Sequence, residues 1–435
     1  MRERLSHSIG LLSATAMVVG IIIGASIFVQ PSEVNRHVPS VAGVLAVWAA
    51  AGVLTLFGSL VCAELSSVYP LTGGVYVYLK ETISPACGFL WGWAMFWSAH
   101  SGIIAASAVI LARYAAFFAP AGDRGIRAIA IGAILLLSFV NYLGVRQGSR
   151  LQTVVTCAKV AGIVLLLAMV VVLGAPAAAH AASPAQTFPP GEFLLGIGAA
   201  LFAFGAWHMV TYTAGETRDA RRTIPRALLI GTLVVTACYV ALNAAYLYLL
   251  PLARVTSSTR VAADAAFAVA GARGAAAISA LVIVSAIGVL NGVILAGPRT
   301  YFAMAEEGLA FHQLARVHPR FHTPSVAIAW QAAWSCVLVA TGTYRALFTR
   351  VVYTEWIFFA LMTAGLVRLR RRPGYAPAFR AWGYPVLQIV FIAAALAVAG
   401  TQIAATPRDA AAGLLLVVIG LPVYYFWLRP KYAHH

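Results

Sequence analysis

The sequence predicts an all-α membrane protein, a single domain of twelve membrane-crossing helices in which helices 6–10 repeat helices 1–5 in inverted orientation. Three observations predict it. The 435 residues are 61% hydrophobic and only 10% charged, with a mean hydropathy of +0.86, a balance outside the range of water-soluble domains. Apolar runs of about 20 residues, the length a bilayer core demands, recur along the whole chain. Two of these runs, in corresponding places of the two halves, are interrupted by small residues at mid-span.

The runs fall near 9–30, 41–66, 86–118, 127–145, 153–174, 193–213, 226–250, 273–300, 324–341, 348–367, 384–404 and 410–428. Dividing the first ten into two fives gives repeats over 9–174 and 193–367, with the last two helices, 384–428, appended. An odd repeat length turns the second copy upside down. With the N-terminus placed in the cytoplasm, more Lys and Arg fall on that side than on the other, among them Arg2, Arg4, Arg299, Arg368 to Arg372, Arg429 and Lys431. An even number of helices then leaves both termini in the cytoplasm of a multi-pass cell-membrane protein, the inner membrane in a Gram-negative bacterium. Arg2 and Arg4 before an apolar core resemble a signal peptide, but with so many spans behind it the segment reads as a retained first helix. The longest connections, Ala175 to Gly191 and Arg368 to Pro385, are rich in proline and too short to be soluble domains.

The first run contains Ser13 to Pro31, SATAMVVGIIIGASIFVQP, with Gly20, Gly24, Ala25 and Ser26 at its middle. Glycine inside a helix costs roughly 1 kcal/mol against alanine, and a break at membrane depth survives only against protein or a water-filled cavity. The spacing of Gly20 and Gly24 fits a small-residue packing face equally well. The sixth run repeats the interruption at Phe202-Ala203-Phe204-Gly205-Ala206-Trp207. An opened helix bares N–H groups at the positive end of one half and carbonyls at the negative end of the other. These suit a carboxylate and an ammonium. Two such breaks in corresponding halves mark a transporter's binding site, and a zwitterionic amino acid fits them without a charged side chain in the pocket.

Composition and motifs exclude other classes. The net charge of +17 is spread in short clusters between apolar runs rather than gathered in the contiguous stripe that nucleic acid needs. The five cysteines, Cys62, Cys87, Cys157, Cys238 and Cys336, have no metal-ligand spacing and read as small buried residues. Gly196-Ile197-Gly198 begins a dinucleotide-like pattern, but Leu201 stands at the third glycine position. No phosphate-binding loop, zinc-protease or nucleophile-elbow motif is present, so neither an enzyme nor an ATP-driven pump is expected, nor any cofactor or metal.

Ionisable residues within spans default to functional hypotheses. Glu64 and Glu216, toward the cytoplasmic ends of helices 2 and 6, read as partners of boundary Arg or Lys. Glu355 reads as interfacial or functional near the outer end of helix 10. His100 and His208 read as satisfied packing residues, and Arg113 falls inside a span. Lys159 has no acidic residue within a turn. Either it snorkels to the interface, or its ammonium meets carbonyl oxygens near Gly20 and Ile21 of the opened first helix.

Several stretches occur together in order: VGIIIGASIF (19–28), AELSSVYPLTGGVYVYLKE (63–81), NYLGVRQGSRLQ (141–152), LFAFGAWHMVTYTAGETRDARRTIPRAL (201–228), NGVILAGPRTYFAMAEEGLAF (291–311), HPRFHTP (318–324) and EWIFFALMTAGLVRLRRRP (355–373). In these the chain resembles the amino acid–polyamine–organocation transporters, and among them the L-type amino-acid transporter-like branch, over nearly its whole length. The resemblance implies a LeuT-type fold and a secondary transporter, a sodium-independent exchanger of neutral L-amino acids. Proton-coupled uptake of amino acids or amines, and an amino-acid sensor without flux, stay open.

Carried over residue by residue, the resemblance places the substrate carboxylate at the backbone amides of Gly24, Ala25 and Ser26. It places the amino group at carbonyls near Ile22, Phe202, Ala203 and Gly205, with Phe202 as the aromatic gate that closes over substrate. The family's usual Gly-Ser-Gly is here Gly24-Ala25-Ser26, which adds a Cβ at the third position. Lys159 is implied to take the place of the sodium ion that joins helices 1 and 8 in sodium-driven members of the fold. Human members of the branch pair with a glycoprotein through a cysteine in the loop after helix 3. The matching loop here, Pro120 to Arg127, has none, so the expected partners are amino-acid substrate and lipid, without a disulfide-linked subunit.

Overall fold

A computed structural model describes residues 5, 7–28, 30–173, 188–258, 260–342 and 344–428, backbone alone at 344–352, 427 and 428. Arg2, Arg4, Arg429, Lys431 and most of the proline-rich connection after Ala175 lie outside the described residues. The described chain is helical in all its long elements. Among the described residues, nine helices are long and apolar enough to cross a membrane, and Leu11–Ile22 and Ser325–Thr341 are shorter apolar helices. The chain is therefore a multi-pass membrane protein.

The elements run α1 (Leu11–Ile22), α2 (Gln30–His37), α3 (Val41–Val68), α4 (Val75–Thr82), α5 (Pro85–Ala94), α6 (His100–Ala115), α7 (Asp123–Tyr142), α8 (Val145–Leu173) and α9 (Pro190–Ala203). They continue with α10 (Ala220–Leu249), α11 (Leu252–Ser257), α12 (Val261–Glu306), α13 (Ser325–Thr341), α14 (Tyr344–Arg370), α15 (Val386–Ala405) and α16 (Pro407–Val418). Helix starts are cut where the sequence supplies a cap. Ser40 accepts a hydrogen bond from the Gly43 amide at 3.3 Å, and Ser84 accepts one from the Cys87 amide at 3.2 Å with Pro85 in the first turn. α12 reaches farther than its apolar run, and at Gly271 (φ 58°, ψ −143°) two helices meet across a kink that glycine accommodates.

α1 lies inside the molecule, packed against α8, α10 and α12. Small residues let these helices approach. A Cβ on Gly231 would meet Val18, one on Gly292 would meet Ile21, and one on Gly20 would meet Thr156 and Gln152. α8 turns one stripe inward, Gly148, Gln152, Thr156, Lys159 and Ile163, spaced by three and four residues. Its polar members are tied down: the Asn291 amide donates to Gln152 Oε1 at 2.8 Å and to the Gly148 carbonyl at 3.1 Å, and the Thr156 hydroxyl donates to the Ala16 carbonyl at 2.9 Å. The cysteine reading is corrected: Cys62 is buried, but Cys157 is exposed and the other three are half-buried. Cysteine's apolarity is satisfied by lipid as well as by protein.

Candidate functional site

Both predicted breaks are present. α1 ends at Ile22, Ile23 and Gly24 bend the chain, and a 3₁₀ turn over Ala25–Phe28 leads into α2. α9 ends at Ala203, and the chain resumes as a 3₁₀ helix over Trp207–Glu216. The left-handed residue at the second break is Ala206, at φ 65°, rather than Gly205. Alanine is strained there, and the surrounding packing holds it: Trp207 lies 5.0 Å from Phe359 and 5.5 Å from His208 between ring centroids.

One cavity of about 570 Å³ joins the two breaks, and Ile22, Gly24, Ala25, Ser26, Phe202, Ala203 and Gly205 all line it. The opening N–H groups of a helical turn have no partner within it, and those of the turn at Ala25 stand at the cavity wall. On the carbonyl side the Tyr239 hydroxyl lies 2.9 Å from the Ile22 oxygen and 3.0 Å from the Ala203 oxygen. One O–H proton satisfies one of these at a time, so Tyr239 bridges the two breaks. Sequence reasoning missed it because an aromatic inside an apolar run carries no signal of its own. The ring is seated between Trp48 and Phe204, at 5.6 and 4.8 Å. Phe202 is 38% exposed on the cavity wall.

Lys159 is fully buried, and its ammonium donates to the carbonyls of Gly20 (2.8 Å), Ile23 (2.6 Å) and Ser285 (3.1 Å). It does not snorkel. The second carbonyl belongs to Ile23, just past the end of α1, instead of Ile21, because the chain leaves the helix after Ile22 and turns the next oxygen inward. Through Ser285 the lysine also ties α1 to α12.

The cavity extends from the breaks toward Gln30, Glu33 and His37, and this end of the molecule is the His37 end. Polar α2 follows the first break directly, so the mouth falls just beyond the predicted span. At the opposite, Glu216 end the chain is shut. Arg299 and Glu216 are both fully buried, with guanidinium–carboxylate distances of 2.5 and 3.0 Å. Arg299 is thus no loop residue, as its place in the charge pattern implied, but lies within α12. The amides of Ser8 and Ile9 each donate to the Glu216 carbonyl at 3.0 Å, holding the start of the chain against the end of the 3₁₀ helix.

Glu64 is ion-paired with Arg370 and accepts hydrogen bonds from the Tyr375 hydroxyl and the Ala381 amide, both at 2.8 Å, so the loop after α14 folds over it. Beside them, Lys80 donates to Glu307 at 2.7 Å and pairs with Glu81 at 2.8 Å. Burial alone would lower the Lys80 ammonium, but its bonds to Glu307 and Glu81 outweigh that and hold it above its ordinary value.

Two further readings are corrected. His208 is buried among Trp91, Trp207, Tyr212 and Phe359 with neither ring nitrogen hydrogen-bonded to the described residues, and His100 reaches the Tyr301 hydroxyl at 2.9 Å through Nδ1 alone. Neither is a fully satisfied packing residue. Glu355 is no interfacial residue: it is buried and lines the cavity.

Comparison with known proteins gives the same frame. A family model described as amino acid permease matches residues 9–422. The serine/threonine exchanger SteT of Bacillus subtilis (strain 168) is 32% identical over 431 residues, covering 98% of this chain and 98% of that protein. The large neutral amino acids transporter small subunit 2 of Rattus norvegicus is 29% identical over 445 residues, covering 98% and 82%. The Asc-type amino acid transporter 1 of Homo sapiens is 28% identical over 451 residues, covering 100% and 85%. Family and relatives are transporters, not enzymes.

Proposed function

The chain belongs to the amino acid permease family, in the L-type branch of the amino acid–polyamine–organocation transporters, and from that premise we propose a sodium-independent exchanger of neutral L-amino acids working by alternating access. The observation that carries this reading is the single cavity lined by both breaks. In it the amides of Gly24, Ala25 and Ser26 receive the substrate carboxylate, where unpaired N–H groups favour an anion. Carbonyls of Ile22, Phe202, Ala203 and Gly205 receive the ammonium, each oxygen having two lone pairs to share. Phe202 closes over the bound molecule and excludes water during the transition. The names of the relatives, an exchanger of serine and threonine and a transporter of large neutral amino acids, support a neutral substrate.

In this reading the helices form twelve spans of the LeuT type, with inverted repeats over 9–174 and 193–367 and two helices appended over 384–428. The Glu216 end and both termini face the cytoplasm, so the cavity opens outward. No disulfide-linked subunit is required, since the Pro120 to Arg127 loop has no cysteine.

Sodium independence follows from Lys159, whose tethered ammonium sits on carbonyls of α1 and α12 and supplies the positive charge that would otherwise have to come from solution. In proteoliposomes, exchange of a labelled amino acid, chosen from a competition panel of all twenty, should persist when sodium is replaced by choline. Lys159→Ala should lower it by at least about tenfold, a barrier change of roughly 1.4 kcal/mol. Strict sodium dependence together with unimpaired exchange by Lys159→Ala would refute the reading of this residue.

A further inference from the structure

Glu355 and Phe359 stand four residues apart on α14, hence on one face of that helix. Phe359 packs against Trp207 and His208, each at 5.0 Å between ring centroids, at the edge of the second break. α14 runs toward Arg370 at the Glu216 end, so Glu355 lies just over one turn, about 6 Å, nearer the His37 end, where the cavity opens. It lines that cavity together with Trp356 and the backbone of both breaks, on a helix distinct from the segments that carry Gly24–Ser26 and Ala203–Gly205.

Its side chain is unusual among the buried carboxylates. Glu64 and Glu216 are each met by an arginine. Glu355 is 8% exposed, and its carboxyl has no hydrogen bond or ion pair among the described residues. The other acidic residue on the cavity wall, Glu33, sits at the mouth and pairs with Arg36 at 3.0 Å. A lone carboxylate is tolerable while water fills the cavity. Once closure expels that water, it is costly unless a donor meets it.

We propose that Glu355 reads the substrate side chain, and that the cavity prefers amino acids whose side chain ends in a hydrogen-bond donor, hydroxyl or ammonium, over apolar isosteres. This rests on the amino-acid reading above, without its restriction to neutral side chains: the two breaks hold the α-carboxylate and α-amino groups and leave the third point of contact to the side chain. A site built around a buried polar group rejects the analogue that leaves that group unmet.

The test is binding by titration calorimetry to the purified full chain, using two isosteric pairs: L-threonine against L-valine for the hydroxyl, and L-ornithine against L-norleucine for the ammonium. The wild type should bind the donor member of at least one pair at least about tenfold more tightly. Glu355→Leu should bring that ratio close to one. Glu355→Gln, nearly isosteric and a check on folding, keeps an acceptor: it should preserve most of a threonine preference and abolish an ornithine preference. Equal affinities within both pairs, or an unchanged ratio in Glu355→Leu, would overturn the proposal while leaving the amino-acid reading intact. If none of the four compounds binds the wild type, this inference falls, and the amino-acid reading falls with it only if none of the twenty amino acids binds either.

Discussion

At the Glu216 end of the molecule two carboxylates are buried against arginines, whereas at the His37 end the carboxylates and their partners stand partly in solvent. Glu216 and Arg299 are wholly enclosed, and Glu64 is enclosed with Arg370. His37 meets Glu192 at 2.7 Å and Glu33 meets Arg36 at 3.0 Å, with side chains 26% to 56% exposed. A buried pair cannot be parted without resolvating both charges or leaving one stranded. An exposed pair parts into water at almost no cost. The difference accounts for where the cavity opens. One end is latched by interactions that must all be lost together, and the other is lined by groups that water can serve. It also teaches that the two ends of one cavity-bearing bundle need not be held together equally strongly.

The largest effect expected is at the latch. Glu216→Ala strands the Arg299 guanidinium and should destabilise the protein by about 3–5 kcal/mol, read as a lowered melting temperature in detergent. Replacing both partners, Glu216→Leu with Arg299→Met, should recover most of that loss, because no uncompensated charge remains. An unshifted melting temperature in Glu216→Ala would erase the distinction between the two ends.

An intermediate effect is expected between them, at the cavity wall. Phe202→Ala should slow exchange by roughly tenfold, about 1.4 kcal/mol of barrier, while equilibrium affinity changes much less, since closure rather than docking is lost. Unchanged turnover would leave the ring as part of the packing. The smallest effect belongs to the open end. His37→Ala should cost under about 1 kcal/mol of stability, because its partners are exposed. A loss comparable to that at Glu216 would mean that the His37 end is latched as well.

Much of this arrangement was legible in the chain. Gly24 and Gly205 announced the breaks because glycine in mid-span is unfavourable without a reason. Lys159 announced itself because a cation in an apolar run must find oxygens. Tyr239 and Arg299 did not. A tyrosine in a span looks like packing until its hydroxyl is seen between the carbonyls of Ile22 and Ala203. Arg299, near the end of an apolar run, looks like a loop charge until α12 is seen to continue to Glu306.

By itself the sequence determined the solvent and the local conformation. Apolar runs of bilayer length make helices, since backbone groups in lipid must bond within their own segment. Small residues at mid-span, and polar groups inside the runs, mark where that rule is broken. Only the tertiary structure decided which broken ends face each other, which carbonyls receive the lysine, and which carboxylates have a partner. Glu64, Glu216 and Glu355 are the same residue type in similar apolar surroundings along the chain. The first two are folded against Arg370 and Arg299 from helices far away in sequence, and the third is turned to the cavity. A charge's energy depends on what lies within a few ångströms of it, and for groups brought together from distant helices that distance exists only once the chain has folded.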